Sequence, residues 1–201
     1  WKPLPDLPDE LGVAGPLVGV HRGALLVAGG ANFPHQPYWE NEKVWHDDAW
    51  SLIRDADGQL AWISGLKLDE PLAYGGAVTT SRGVVCLGGD NGKQVVDRCF
   101  VLVWDPQQQT IHQLPLPPLP KPSAYGAAAA IGDVVYLACG QATQQLATSG
   151  NHLGRLDLTV ESPQWEVLPP CPGPARAFNQ TVAQHKPTGF TPSVQTNLRR
   201  R

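Results

Sequence analysis

The sequence predicts an all-β chain, a β-propeller of about three four-stranded blades plus a partial fourth. Three observations predict it. Short aliphatic runs ending in glycine recur along the chain, and each sits within a longer set of strands and turns that recurs with it. The 21 glycines and 20 prolines call for many turns and few long helices. No amphipathic period of about 3.6 residues is sustained, which excludes a helical solenoid.

The chain opens with Trp1 to Pro8, read as an outer strand. Gly12-Val-Ala-Gly15, Ala73-Tyr-Gly-Gly76 and Ala124-Tyr-Gly-Ala127 then introduce the three units. Each leads to a turn, at His21-Arg-Gly23, Ser81-Arg-Gly83 and Ile131-Gly-Asp133. The glycine-ended runs follow: Ala24-Leu-Leu-Val-Ala-Gly-Gly30, Gly83-Val-Val-Cys-Leu-Gly-Gly89 and Val134-Val-Tyr-Leu-Ala-Cys-Gly140. Runs this short and apolar suit strands buried on both faces, and the terminal glycines suit an exit where a side chain would clash. A third strand is read at His46-Asp-Asp-Ala-Trp-Ser-Leu52, Val96-Asp-Arg-Cys-Phe-Val-Leu102 and, more loosely, Asn151-His-Leu-Gly-Arg-Leu-Asp157. The last strands are Leu60-Ala-Trp-Ile63, Thr110-Ile-His-Gln113 and Gln164-Trp-Glu-Val167. Prolines follow the second and third of these, where an outer edge tolerates a missing N–H.

Each unit is four strands in about 50–60 residues, near the kelch period, so the expected architecture is a kelch-type β-propeller. Closed rings have about four to eight blades. Three units and the opening of a fourth near Arg176 amount to half of a six-bladed ring. Residues 1–184 are read as this partial propeller. Residues 185–201 lack the apolar run ending in Gly-Gly and are read as a disordered tail.

Net charge is −3, with no basic stripe before the last residues, which argues against nucleic acid and anionic membrane as partners. No apolar run approaches the roughly 20 residues of a membrane span. No signal peptide is visible; the chain begins at Trp1 without Met, so a leader removed or omitted stays open. Cys86, Cys99, Cys139 and Cys171 show no Cys-x-x-Cys pair and no zinc-type spacing. They are read as buried thiols, with a Cys86–Cys99 disulfide between neighbouring strands left open. No nucleophilic triad or phosphate loop can be argued, because the six histidines are scattered and the glycine pairs end strands instead of opening helices.

At Gly29-Gly-Ala-Asn-Phe-Pro34, Trp39-Glu40 and Lys43-Val-Trp-His-Asp-Asp48 the sequence resembles the sialic acid mutarotases, or N-acetylneuraminate epimerases, and their cyclically permuted relatives. The resemblance extends over Trp1 to Gln184. It implies a six-bladed propeller that interconverts the α and β anomers of N-acetylneuraminate by acid/base ring opening, in the periplasm or outside the cell. It implies no metal or organic cofactor, and a small sugar as partner. The chain departs from the family in holding about half the blades and in reading Ala-Cys-Gly where Gly-Gly is usual. The alternative is a non-catalytic kelch module binding a protein partner, or an inactive fragment. A homodimer would close the ring symmetrically.

Mutarotation needs a base for the anomeric hydroxyl proton, an acid for the ring oxygen and a cation for the sugar carboxylate. Glu40 and His46, in the long insert of the first unit, are the candidate acid and base. Asn32, Asp90 and Asn91 follow the glycine pairs, where propeller loops converge on the channel, and are candidate sugar ligands. Arg176, expected at the blade position of Tyr74 and Tyr125, is the candidate carboxylate clamp. Trp39 and Trp45 are candidates for stacking on a sugar face, whereas Trp62, Trp165, Tyr74 and Tyr125 repeat with the blades and are read as packing.

Overall fold

The computed structural model describes residues 3–35, 37–184 and 193–197. Three four-stranded antiparallel sheets follow one another, and the fold is that of a β-propeller. The first is built from β1 (Leu17–His21), β2 (Ala24–Ala28), β5 (Asp48–Arg54) and β6 (Leu60–Lys67), with a small hairpin of β3 (Ala31–Asn32) and β4 (Val44–Trp45) inserted between β2 and β5. The second holds β7 (Gly76–Thr80), β8 (Gly83–Asp90), β9 (Val95–Asp105) and β10 (Thr110–Leu116). The third holds β11 (Ala127–Ile131), β12 (Val134–Gln141), β13 (Ser149–Asp157) and β14 (Trp165–Leu168). A further pair, β15 (Gln180–Gln184) and β16 (Ser193–Asn197), opens a fourth unit. The strand β16 thus falls inside the stretch 185–201 expected to be a tail; the rest of that stretch lies outside the described residues.

The first strands β1, β7, β11 and β15 stand side by side, one per unit. The blades pack face to face, which explains the uninterrupted apolar runs. All eight residues of β8 are buried. Val84 and Cys86 face the first blade, in a cluster with Leu17, Leu26, Phe100, Leu102 and Trp104. Val85 and Leu87 face the third, with Cys99, Val101, Val135, Leu137 and Leu156. Each such side chain taken fully from water contributes about 1.5–3 kcal/mol, so these two interfaces hold the blades together. Alternation along β9 puts Cys99 and Phe100 on opposite faces, with Cys86 on the Phe100 side. The Cys86–Cys99 disulfide left open by the sequence is therefore not formed, and all four cysteines are free and buried.

The same backbone bonds recur at each joint between blades. Tyr74 N–H donates to Gly15 O, Tyr125 N–H to Tyr74 O and Phe178 N–H to Tyr125 O, each at 2.8 Å. Gly30 N–H donates to Leu72 O, Gly89 N–H to Ser123 O and Gly140 N–H to Arg176 O. The glycine before each of the first two donors is crowded by that linker. A Cβ on Gly29 would lie 2.1 Å from Leu72 O, and one on Gly88 would lie 2.2 Å from Ser123 O. These bonds also correct the expected alignment of the fourth unit. Phe178 is the counterpart of Tyr74 and Tyr125, and Arg176 is the counterpart of Leu72 and Ser123.

Proline linkers tie successive blades at their outer edge. Trp165 Nε1 donates to Pro117 O (3.0 Å), and Trp62 Nε1 donates to Pro5 O (3.1 Å). Residues 3–8 thus lie against the first blade as the segment after β10 lies against the third. At the far turns, His21 Nδ1 accepts the Trp104 amide (3.0 Å), which requires that nitrogen to be unprotonated. Burial, and then the charge of Arg22, lower the pKa of His21 below its usual 6.5. Burial first and Lys121 second do the same for His152.

Two outcomes are expected. Gly88→Ala should lose about 2–3 kcal/mol of stability in urea unfolding, because the added methyl meets a carbonyl in a left-handed conformation; an unchanged midpoint would refute the close approach. His21 and His152 are held neutral when folded and protonate more readily once unfolded. Their contribution is full above about pH 6.5 and is lost as the pH falls through their lowered folded values. The urea midpoint should therefore drop between pH 7 and 5, and drop less in His21→Asn. Asp133, held down by hydrogen bonds from Ser81, acts only nearer the carboxylate range.

Candidate functional site

The ends of β2, β8 and β12 converge at one end of the blades, and the residues after them form the candidate site. Ala31, Asp90 and Gln141 are equivalent there, each bridged to the alanine that opens its own unit: Ala14, Ala73 and Ala124. Asn32 and Asn91 stand one residue further on.

Asn32 and His46 are brought together. Asn32 Nδ2 donates to Gly12 O (3.0 Å), which leaves its Oδ1 to accept from His46 Nε2 (2.8 Å). An amide oxygen only accepts, so His46 Nε2 is the donor in this bond. The pair lies on one face of the β3–β4 hairpin. Lys43 and Trp45 extend from the other face, as alternation along an extended segment requires.

On that second face an aromatic file begins. The Tyr74 ring covers Gly15, where a Cβ would lie 2.2 Å from it, so this position admits only glycine. Tyr125 stacks on Tyr74 with centroids 4.6 Å apart, and Phe178 packs on Tyr125 at 4.7 Å. All three carry positive φ, between 57° and 60°, an uncommon conformation for bulky residues. Lys43 Nζ sits 4.2 Å from the Tyr74 centroid and 5.1 Å from that of Trp45. The Trp45 indole lies over Gly92, and its N–H is buried without an acceptor among the described residues.

Asp90 is 1% exposed, the one buried carboxylate among the described residues. Its Oδ1 accepts from Gly92 N (2.9 Å), and Gln144 Nε2 spans both oxygens at 3.0 and 3.2 Å. Gln144 is itself exposed, so it covers Asp90 without being locked in the core. The Tyr125 hydroxyl is pushed up to about 12 by burial, then by the Asp90 charge and Tyr74, and so stays protonated. Lys43, Tyr74 and Tyr125 follow one another in ring contact, Gln144 and Asp90 are hydrogen-bonded, and the two groups are linked through the Asp90 charge felt at the Tyr125 hydroxyl.

The remaining candidates lie apart from these groups. Asn91 Oδ1 accepts from Lys93 N and Gln94 N and so builds the turn after β8. Glu40 closes the 3-10 turn Tyr38–Glu40 and is exposed. Arg176 is 8% exposed, and its guanidinium donates to the carbonyls of Pro172 and Pro174. The side chain of Trp39 lies outside those described. Sequence reasoning missed Lys43 and Gln144. Lys43 stood inside the Lys43-Val-Trp45 series, but Gln144 lies in a polar loop with no signal of its own. Among the described residues no group of three or more His, Cys, Asp or Glu could hold a metal ion. Nor is any helix long and apolar enough to cross a membrane.

No family model matches the chain. It is 34% identical over 117 residues to the N-acetylneuraminate epimerase of Vibrio cholerae, a match that covers 52% of this chain and 30% of that protein. It is 33% identical over 108 residues to the protein of the same name from Yersinia pestis (45% and 26% covered). With that of Salmonella arizonae it shares 34% over 101 residues (45% and 25%). The chain thus spans about a quarter to a third of the length of the curated relatives it matches. The solved structure of YjhT superposes with a TM-score of 0.71 at 17% identity, over 90% of this chain and 59% of that one. The structural match carries the fold. The sequence matches show the resemblance to N-acetylneuraminate epimerases that the Gly29 to Asp48 series led us to expect.

Proposed function

We propose that this chain forms a mutarotase site that interconverts the α and β anomers of N-acetylneuraminate. The observation that carries the reading is Asp90, a buried carboxylate at the end of β8 whose covering partner, Gln144, is exposed. A carboxylate whose cover is a neutral side chain is within reach of a sugar hydroxyl that takes the place of that cover. The names of the relatives from Vibrio, Yersinia and Salmonella supply the substrate.

In this reading the sugar displaces Gln144, and Asp90 takes the proton of the anomeric hydroxyl. The bond from the anomeric carbon to the ring oxygen breaks, and the ring oxygen receives the proton that Asp90 took from the hydroxyl. The hydroxyl of Tyr125, held protonated beside Asp90, hydrogen-bonds to that oxygen. Rotation of the open-chain ketone and closure on its other face then give the second anomer, with the proton transfers reversed. Lys43 supplies the charge for the sugar carboxylate, the role expected of Arg176, whose fork is turned to backbone carbonyls. Tyr74 and Trp45 offer faces to the sugar ring. His46 and Asn32, on the other face of the hairpin, contribute through the hairpin's position, and Glu40 is left in an exposed loop. The periplasm or an extracellular setting goes with this proposal. So does closure of the ring by a second copy, which would cover the exposed Val18 and Val20 of β1 and Val182 of β15.

Proton NMR of freshly dissolved α-N-acetylneuraminate should show anomeric equilibrium reached faster with the chain than in buffer. Asp90→Asn should reduce that acceleration at least tenfold. Lys43→Ala should raise KM more than it lowers kcat, and His46→Gln should have a smaller effect than Asp90→Asn. No acceleration from a folded sample would refute catalysis by this chain and favour a non-catalytic module. Light scattering should give the mass of a dimer, and a monomer would remove the second copy from the proposal.

A further inference from the structure

We propose that Cys139 and Cys171 are a disulfide site, closed by oxidation to pin the linker that enters the fourth unit onto the end of β12. The inference stands apart from the reading of the sugar.

The first observation is a substitution inside the repeat. Cys139 occupies the position of Gly29 and Gly88, with φ of 62° against their 66° and 60°. The other two joints admit only glycine, because a linker carbonyl lies where Cβ would be. In the third joint a side chain is kept in that strained conformation, which singles it out. The second observation is what it meets. Cys139 is fully buried and Cys171 is 4% exposed, and the two share a small cluster with Ala138 and the partly buried Leu153. The two side chains thus pack in one buried cluster, at the joint where the linker meets the end of β12. Cys171 is fixed from its backbone by Cys171 N–H donating to Asn151 O (2.7 Å). Cys86 and Cys99 are the contrast, since they project from opposite faces of the second blade.

The chemistry balances with a disulfide oxidant such as oxidised glutathione. One protein thiolate attacks it, forming a mixed disulfide and releasing one glutathione thiol. The second protein thiolate then attacks the mixed disulfide and expels the other glutathione. The protein loses two protons and two electrons, and the oxidant gains them as two thiols. Burial and the neighbouring Cys171 hold Cys139 protonated, with Arg176 opposing, so the folded chain reacts slowly. Closure belongs to folding in an oxidising medium. The bond would join β12 to the linker that carries Arg176, across β13 and β14.

The test is refolding the full chain in a mixture of oxidised and reduced glutathione, followed by alkylation in denaturant and mass spectrometry. Two of the four cysteines should escape alkylation, in one linked peptide pair holding Cys139 and Cys171. The oxidised chain should melt several degrees above the reduced one. Cys139→Gly restores the glycine of the other joints and should fold, yet lose both the link and the redox dependence of melting. Four alkylated thiols in a folded, oxidatively refolded chain would overturn the proposal. A link through Cys86 or Cys99, or glutathione retained on a single cysteine, would overturn it equally.

Discussion

The close approach of one blade's linker to the glycine that ends the next inner strand is the constraint on which the rest depends. At Gly29 and Gly88 a carbonyl oxygen lies just over 2 Å from where a Cβ would be. The following glycine amide donates to that same carbonyl. The contact brings consecutive blades close enough for their apolar faces to interlock and places the residues after each glycine at one end of the blades. Without it, Val84 and Cys86 would not meet the first blade's Leu17 and Leu26 while Val85 and Leu87 meet the third.

The aromatic file is a consequence of the same spacing. Tyr74, Tyr125 and Phe178 hold equivalent positions, and their amides donate along the series of joints, so their rings repeat at the spacing set by the blades. Gly15 completes the series with no side chain, and the Tyr74 ring lies in the space this leaves. The inserted β3–β4 hairpin then swings Lys43 over Tyr74. Asp90 is buried because the loop after β12 reaches back across a blade boundary with Gln144. The candidate site thus draws on three blades, each supplying one or two groups and none supplying a complete set.

The repeat was legible because every blade solves the same packing problem with the same residue types in the same order. The strands, their glycine exits and Trp62 and Trp165 as packing residues all follow from it. Arg176 was misaligned because the proline-rich linker before it differs in length and composition from its counterparts, and only the hydrogen bonds at the joint show which residue matches Tyr74. The tyrosines, read as packing because they repeat with the blades, do stack, Tyr74 on Tyr125 and Tyr125 on Phe178. Asp90 stood out by position, but its burial under Gln144 depends on a partner 54 residues away.

The sequence by itself determined the class of fold, its recurring four-stranded unit, the positions where only glycine serves and the series from Gly29 to Asp48 that carries the family resemblance. These are local or periodic properties, written in spacing and residue type. The tertiary structure alone decided which side chains meet: Asn32 with His46, Lys43 with Tyr74, Asp90 with Gln144, and Cys139 with Cys171 in place of Cys86 with Cys99. Alternation in a strand says only that two residues share a face or do not. Which face looks across to which neighbour is set by how the blades stack, and that is a property of the assembled propeller.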